Sequence, residues 1–331
     1  MNGPEPRKLL VIQLRRIGDV ILTTPAVAAL ARSFPRAQID FLAEPPGAEA
    51  LAGNPHIRTL HVYRAGGLLE ALSWLRKIRA QRYDWVIDYL SNPRSALIAF
   101  FSAAPVRAGL ARSSHRWAYN RFLGRPAKTV YTGLEKILAL ESLGVDSREA
   151  DFLPRLYLAR KPARPANRVG LVPASRKPTR RWPSASYARL GRLLRERCGC
   201  EILVFWGPGE RGLAEEVARG IGDGARVTPE TRTLGEAACL MADCRLIVTN
   251  CNGPKHMAVG LGIPTLTIHG SSDPASWTPP HPSHAAVRLE ELFCIGCRLN
   301  KCPYGMECMK NLAPERVAAA AERLLGAEAR A

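Results

Sequence analysis

The chain has 331 residues, 47% of them hydrophobic, enough to bury two cores of about 150 residues each. Lysine and arginine total 47 against 29 acids, a net charge of +18, which favours anionic partners: phosphorylated substrates, anionic lipid headgroups or nucleic acid. No apolar run reaches the roughly 18 residues a membrane span needs. Residues 1–8 lack the apolar stretch and small-residue cleavage site of a secretion signal, so a cytoplasmic location is expected. The basic residues, among them Arg107, Arg112, Arg116, Arg121 and Arg125, are spread along the chain. There is no Lys/Arg block, zinc-finger spacing or helix-turn-helix signal, so nucleic acid is not an expected partner. Nine cysteines in such a chain read as thiols or metal ligands before disulfides.

In chain order, residues 8–14 (KLLVIQL) predict a buried strand, and residues 19–34 a helix with Pro25 in its early part. A second strand is predicted over 37–43, a helix over 68–81, a strand over 84–90 and a helix over 92–103. Residues 157–168, rich in proline and arginine, have no apolar period and predict a linker. The alternation then restarts. Strands are expected at 169–173, 201–206, 245–249 and 264–268, and helices at 184–197, 209–220, 235–243, 254–261 and 313–327. Pro314 sits in the first turn of the last helix. Alternating strands and helices predict an α/β protein with parallel sheets, in two successive Rossmann-like domains. Residues 1–160 form the first, 161–312 the second, and 313–331 a C-terminal helix. Ligands of such sheets bind at the carboxyl ends of the strands.

Four stretches at those ends carry candidate chemistry. In RRIGDVILTTP (15–25), Asp19 opens a helix after the first strand. It is a helix-capping carboxylate or a general base. In PASRKPTRRWP (173–183), Ser175, Lys177, Thr179, Arg180 and Arg181 offer hydroxyls and cations that suit a diphosphate, or a solvated basic loop. In GPGE (207–210), Glu210 follows a tight turn and can bond ribose hydroxyls or simply charge a helix start. No dinucleotide or P-loop glycine pattern occurs. In NCNGPKH (250–256), Asn252 suits a helix cap, Gly253 a close backbone approach and Pro254 a first helical turn. The helix start is an anion site, to which Lys255 adds charge and His256 a hydrogen bond. The alternative is a structural turn with a satisfied histidine.

These stretches, in this order, resemble the lipopolysaccharide heptosyltransferases, the ADP-heptose-dependent glycosyltransferases of family 9. The carrying residues are Gly18-Asp19-Val20 with Leu22-Thr23-Thr24-Pro25, TRRWP (179–183), GPGE (207–210), Asn250 with Gly253-Pro254 and His256, and the stretch CIGCRLNKCPYGMECMKNLAPERV (294–317). The resemblance implies a GT-B fold, with the acceptor in the N-terminal domain and the nucleotide-sugar in the C-terminal one. It implies inverting transfer of heptose from ADP-heptose to the inner core of lipopolysaccharide at the cytoplasmic face of the inner membrane, without a catalytic cofactor. Asp19 is then the general base, Thr179 and Arg180 hold the diphosphate, Glu210 the ribose, and residues 253–256 the diphosphate and sugar. The strong basicity suits an acceptor bearing Kdo carboxylates and phosphates. Arg15, Arg16, Arg64 and Arg94, with Gly18 in the same first turn, are candidate acceptor contacts. The family's loop usually reads Asn-Asp where this chain reads Asn250-Cys251. That difference bears on the donor sugar, because a thiol is a poor hydrogen-bond acceptor. Another nucleotide-sugar donor, or a non-catalytic glycolipid- or nucleotide-binding protein, are the rival readings.

Cys294, Cys297, Cys302 and Cys308 place four thiols within 15 residues. Thiolates so spaced suit a structural tetrahedral Zn or Fe ion; reduced cysteines in a packed loop are the alternative.

Overall fold

The computed structural model describes residues 5–64, 66–158 and 166–328. The chain divides into two compact units, Met1–Tyr157 and Leu158–Ala331. The expected boundary between residues 160 and 161, and most of the expected linker, lie outside the described residues.

The first unit contains β1 (Lys8–Ile12), α1 (Ile17–Ile21), α2 (Thr24–Ser33), β2 (Gln38–Ala43), α3 (Pro45–Glu49), β3 (Thr59–Val62), α4 (Leu68–Ala80), β4 (Trp85–Asp88), α5 (Pro93–Phe101), β5 (Val106–Leu110), β6 (Arg121–Leu123) and α6 (Thr132–Leu138). Its six strands are parallel, in the order β3-β2-β1-β4-β5-β6. The continuous apolar run of β1 follows from burial on both faces. Leu9 and Val11 enter one core with Val27, Leu30 and Phe41, while Leu10 and Ile12 enter another with Ile78, Val86 and Ala99.

The helix expected over 19–34 is two helices. Pro25 has no N–H, and its ring crowds the carbonyl of Ile21. The break at Leu22 and Thr23 is closed by side chains: the Thr23 hydroxyl donates to the Asp19 carbonyl at 2.7 Å, and the Thr24 hydroxyl to that of Ile21 at 2.8 Å. The first strand ends at Ile12, two residues early, so Gln13 and Leu14 belong to the turn.

The second unit contains β7 (Arg168–Val172), α7 (Ser184–Cys198), β8 (Glu201–Val204), α8 (Arg211–Ile221), β9 (Ala225–Val227), α9 (Leu234–Ala242), β10 (Leu246–Asn250), α10 (Gly253–Gly260), β11 (Thr265–Ile268), α11 (Pro274–Trp277), β12 (His284–Val287), α12 (Glu307–Lys310) and α13 (Pro314–Glu328). Its strand order, β12-β11-β10-β7-β8-β9, repeats that of the first unit. Arg168, expected in the linker, opens β7 and pairs with Glu201 and Asp243. The C-terminal helix α13 shares a core with α7, burying Val317, Ala318 and Ala321 beside Tyr187 and Leu194.

Candidate active site

In each sheet the strand order reverses once: between β1 and β4 in the first unit, between β7 and β10 in the second. Neighbouring loops leave such a point in opposite directions and open a crevice at the strands' carboxyl ends.

In the first unit, Asp19 lies in α1 and is half-buried. One of its carboxylate oxygens accepts the Arg16 N–H at 3.3 Å, so the capping reading is realised. The other accepts no hydrogen bond among the described residues. The backbone beneath Asp19 is held by Lys136, from α6. The Lys136 Nζ donates to Gln13 Oε1 (2.8 Å), Thr23 Oγ1 (2.7 Å) and the Asp19 carbonyl (3.3 Å). Burial pushes this ammonium down to about 8, against the pull of Asp19, Glu135 and Asp88. Asp88, at the end of β4, is fully buried. It accepts the N–H groups of Leu90 and Ser91 at 2.9 Å and the Tyr119 hydroxyl at 2.8 Å, which fixes the β4–α5 turn. Burial pushes its carboxyl up.

Arg15 and Arg16 are exposed, Gly18 is buried, and Arg64 follows β3 in an exposed position. Arg94 opens α5, 3.9 Å from Glu44. All five therefore lie at the carboxyl edge of one sheet. Lys136 and Asp88 escape a reading by motif. The signal for Lys136 is its place on the apolar stripe of α6, beside the buried Gly133 and Ile137.

In the second unit, two asparagines tie the crevice together. Asn250 donates to the Pro173 carbonyl (2.7 Å) and accepts from the Trp182 N–H (3.1 Å), joining both ends of the loop after β7. Asn252 donates to the Ala174 carbonyl (2.9 Å), and its oxygen caps α10 by accepting the Lys255 N–H (3.1 Å). Pro254 has no N–H and the Lys255 N–H is capped, so the Gly253 N–H is an orphan donor of that helix start. No atom lies within 4 Å of a Cβ built on Gly253, so open space faces this backbone.

Several expected donor contacts are engaged within the protein. Lys255 is fully buried and donates to the Trp277 carbonyl, so it is not an open phosphate ligand. Burial pushes its ammonium down to about 8, against the pull of Cys251. The Thr179 hydroxyl donates to the Leu299 carbonyl (2.9 Å) and accepts from Ser271 (3.1 Å). Glu210 folds back on its own turn, accepting the Gly207 N–H at 3.0 Å. Ser175 and Cys251 are buried.

Among the described residues four buried side-chain atoms have no partner: Tyr131 Oη in the first unit, and Arg180 Nε, His256 Nδ1 and Thr267 Oγ1 in the second; of these, Arg180 and His256 lie on the segments that follow β7 and β10. Burial, with Lys255 and His269 nearby, holds the His256 imidazole well below its ordinary value, so it is neutral. Arg180 is close enough to Lys255 and His269 to depress the proton affinity of both. Pattern reading passed over the turn after β11, where His269 bonds the hydroxyls of Ser272 and Thr278 at 2.9 Å each. Its signal is the hydroxyl-rich run Ser271-Ser272 directly after a strand.

The cysteine cluster keeps its four thiols within electrostatic reach of one another: after burial, Cys302, Cys294 and Cys297 push the Cys308 thiol up. All four thiols are free, yet among the described residues no group of three or more Cys, His, Asp or Glu is placed to hold a metal. Cys308 packs into the core toward Gly270, where a Cβ would meet its sulfur at 3.0 Å, while Cys297 is exposed. The Cys302 sulfur instead accepts the N–H groups of Tyr304 (3.4 Å) and Met306 (3.3 Å), which shapes the loop.

Two α/β units with parallel six-stranded sheets and a polar crevice at each reversal of strand order make up the GT-B fold. The glycosyltransferase family 9 (heptosyltransferase) pattern matches residues 71–306, and the chain belongs to that family. It is 27% identical to lipooligosaccharide heptosyltransferase 2 of Haemophilus ducreyi, over 96% of this chain and 99% of that one. Two solved structures share its fold. A family 9 glycosyltransferase from Veillonella parvula superposes with a TM-score of 0.82 at 24% identity, covering 96% of this chain and 97% of that one. The ADP-heptose lps heptosyltransferase II of E. coli gives 0.78 at 22% identity, covering 97% and 99%.

Proposed function

We propose that this enzyme transfers a heptose, with inversion, from ADP-heptose to the Kdo/heptose inner core of lipopolysaccharide, working at the cytoplasmic face of the inner membrane. The observation that carries the reading is that two of the unpartnered buried groups, Arg180 Nε and His256 Nδ1, lie on the segments after β7 and β10, whose loops contain no carboxylate. Buried polar groups without partners are costly, and an anionic ligand supplies the missing ones. Two of the proteins named above carry heptosyltransferase names, and one of these names ADP-heptose.

Asp19 is the general base. Its half-exposed carboxylate accepts the proton of the acceptor hydroxyl as that oxygen attacks the anomeric carbon from the face opposite the leaving ADP. The bond to the diphosphate breaks as the new glycosidic bond forms, and the ADP carries away the electron pair. Arg180 and the α10 start stabilise that developing charge in a site already built for it. Lys136 positions Asp19 through its backbone. Arg15, Arg16, Arg64 and Arg94 receive the anionic acceptor. Glu210 turns to the ribose once its own turn releases it.

The test is transfer from ADP-heptose to a Kdo-bearing acceptor, read by mass spectrometry. Asp19→Asn is expected to fold, to keep its thermal shift with ADP, and to lose transfer by about 10³-fold. A near wild-type rate would remove Asp19 from the chemistry. A second reading keeps the reaction and changes the sugar, because Cys251 offers no carboxylate to the donor's hydroxyls. A greater kcat/KM with another ADP-sugar than with ADP-heptose would establish it.

A further inference from the structure

We infer that an exposed aromatic ridge on the first unit, formed by Leu97, Phe100 and Phe101 of α5 with Trp117, seats the enzyme on an anionic lipid surface. This deepens the membrane-peripheral part of the proposed function and rests on that reading only for which membrane is met.

Helix α5 buries Ser95, Ala96, Ile98 and Ala99 against the sheet and turns its remaining apolar residues outward. Leu97, Phe100, Phe101 and Trp117 are each 42% to 54% exposed, far more than packing against the protein alone explains. Leu97 lies three and four residues before the two phenylalanines, so one side of the helix is continuously apolar. Phe100 meets Phe101 at 5.4 Å and Trp117 at 5.3 Å, both edge to face. The helix has nine residues, and no helix among the described residues is long and apolar enough to cross a membrane. A short apolar ridge of this kind enters the interfacial layer of a bilayer rather than its core.

The charge around the ridge selects the lipid. Residues 89–134 contain seven Lys or Arg and no Asp or Glu. Arg112, Arg116, Arg121 and Arg125 are exposed, and none has a carboxylate partner among the described residues. Arg107 sits 5.9 Å over the Phe100 ring and Arg116 4.5 Å over Phe122, so cations border the aromatic surface directly. Unpaired arginines beside a Trp/Phe ridge match an anionic headgroup layer over acyl chains. A second copy of the chain fits poorly, because a symmetric contact would bring these uncompensated charges together. Single-stranded nucleic acid needs open ring faces for stacking, and here the rings turn edges and faces to one another.

The experiment is co-sedimentation of the full chain with vesicles rich in phosphatidylglycerol and with vesicles of phosphatidylcholine alone. Three proteins are compared: wild type, Phe100→Ser/Phe101→Ser/Trp117→Ser, and Arg112→Gln/Arg121→Gln/Arg125→Gln. Matching circular dichroism melts establish that the variants are folded. The wild type is expected to partition onto the anionic vesicles at least about tenfold better than onto neutral ones. Each variant is expected to lose about tenfold or more, and only the arginine variant should lose its dependence on salt. Transfer to a detergent-dispersed acceptor should be unchanged in both variants. If docking fails while that transfer persists, this inference falls and the catalytic reading stands. If transfer is absent but docking holds, the reverse is true. Equal binding to both vesicle types, or variants that bind like wild type, overturns the inference. So does a dimer that the aromatic variant splits, or an oligonucleotide bound through this ridge in preference to vesicles.

Discussion

After β1, the first unit sets a half-exposed carboxylate, Asp19, on a backbone clamped by a buried lysine; Asp88 sits fully buried at the end of the neighbouring β4. After β7 and β10, the second unit sets no carboxylate at all. Its loops carry arginine, buried lysine, neutral imidazole and two structural amides. The strand orders are the same. Strand order therefore decides where a crevice opens, while the residues on two loops decide which charge it accepts. One crevice is suited to taking a proton, the other to holding an anion.

The contrast should be broken most severely by Asp19→Asn, which removes the proposed proton acceptor. The next largest effect is expected from Arg180→Ala in the anion crevice: kcat/KM should fall by about 10²-fold or more, and the thermal shift with ADP should shrink. Arg180→Lys should recover little, because a point charge cannot replace a guanidinium Nε–H in a fixed place. An unchanged ADP shift in Arg180→Ala would place the diphosphate elsewhere. Lys136→Met probes the other crevice from beneath. Displacing the Asp19 backbone should lower kcat by up to about 10²-fold while the KM for ADP-heptose stays put. A rise in that KM with kcat intact would assign Lys136 to the donor instead.

Parallel alternation gave both sheets to a reader of the sequence, because buried central strands are continuous apolar runs such as residues 9–12 and 246–248. The short edge strands β3, β6, β9 and β12 carry mixed residues and little burial, so pattern reading passed over them. Asp19, Arg180 and His256 stood out because polar residues at strand ends are conspicuous. Lys136 did not, because its role depends on Gln13 and Thr23, more than 110 residues away in sequence. Lys255 and Thr179 looked like phosphate ligands by type and place, yet tertiary contacts with Trp277 and Leu299 engage them. The thiol spacing from Cys294 to Cys308 suggested a metal; the four thiols stay within electrostatic reach of one another, with Cys308 packed against the core, and no ready-made ligand group is found among the described residues.

The two crevices should also differ in their response to pH. In the second unit, His256 and His269 are held well below their ordinary value and His284 is pushed down to about 4, in each case chiefly by burial. The unfolded chain then binds protons that the folded one refuses as pH falls below about 6.5, so stability is lost toward acid. The lysines act at the other end. Lys136 and Lys255, both near 8 when folded, leave the charged form penalised below that value, and stability rises as pH climbs from about 8 toward 10.5. Each can contribute at most about 3 kcal/mol to that rise. Melting curves from pH 5 to 10 should show both slopes. Lys255→Met should lose part of the alkaline slope and keep the acid one. An acid slope no steeper than the carboxylates alone produce would mean the histidines are not buried as neutral rings.

The smallest expected change sharpens the comparison most, because it puts a carboxylate into the crevice that has none. Cys251 is buried at the start of the α10 turn, and its thiol is the group that most supports the charge on Lys255. In Cys251→Asp, a carboxylate takes that place. It should draw the Lys255 ammonium back up, weakening the alkaline slope, while overall stability changes little, since a buried ion pair roughly offsets its own desolvation. The effect on donor choice should be larger than that on stability. A fixed acceptor discriminates strongly between sugars that do and do not present a hydroxyl to it, whereas a thiol discriminates weakly. The ratio of kcat/KM for ADP-heptose over a competing ADP-hexose should therefore move by about tenfold or more. If the ratio holds while Lys255 titrates higher, Cys251 supports the lysine and does not read the sugar.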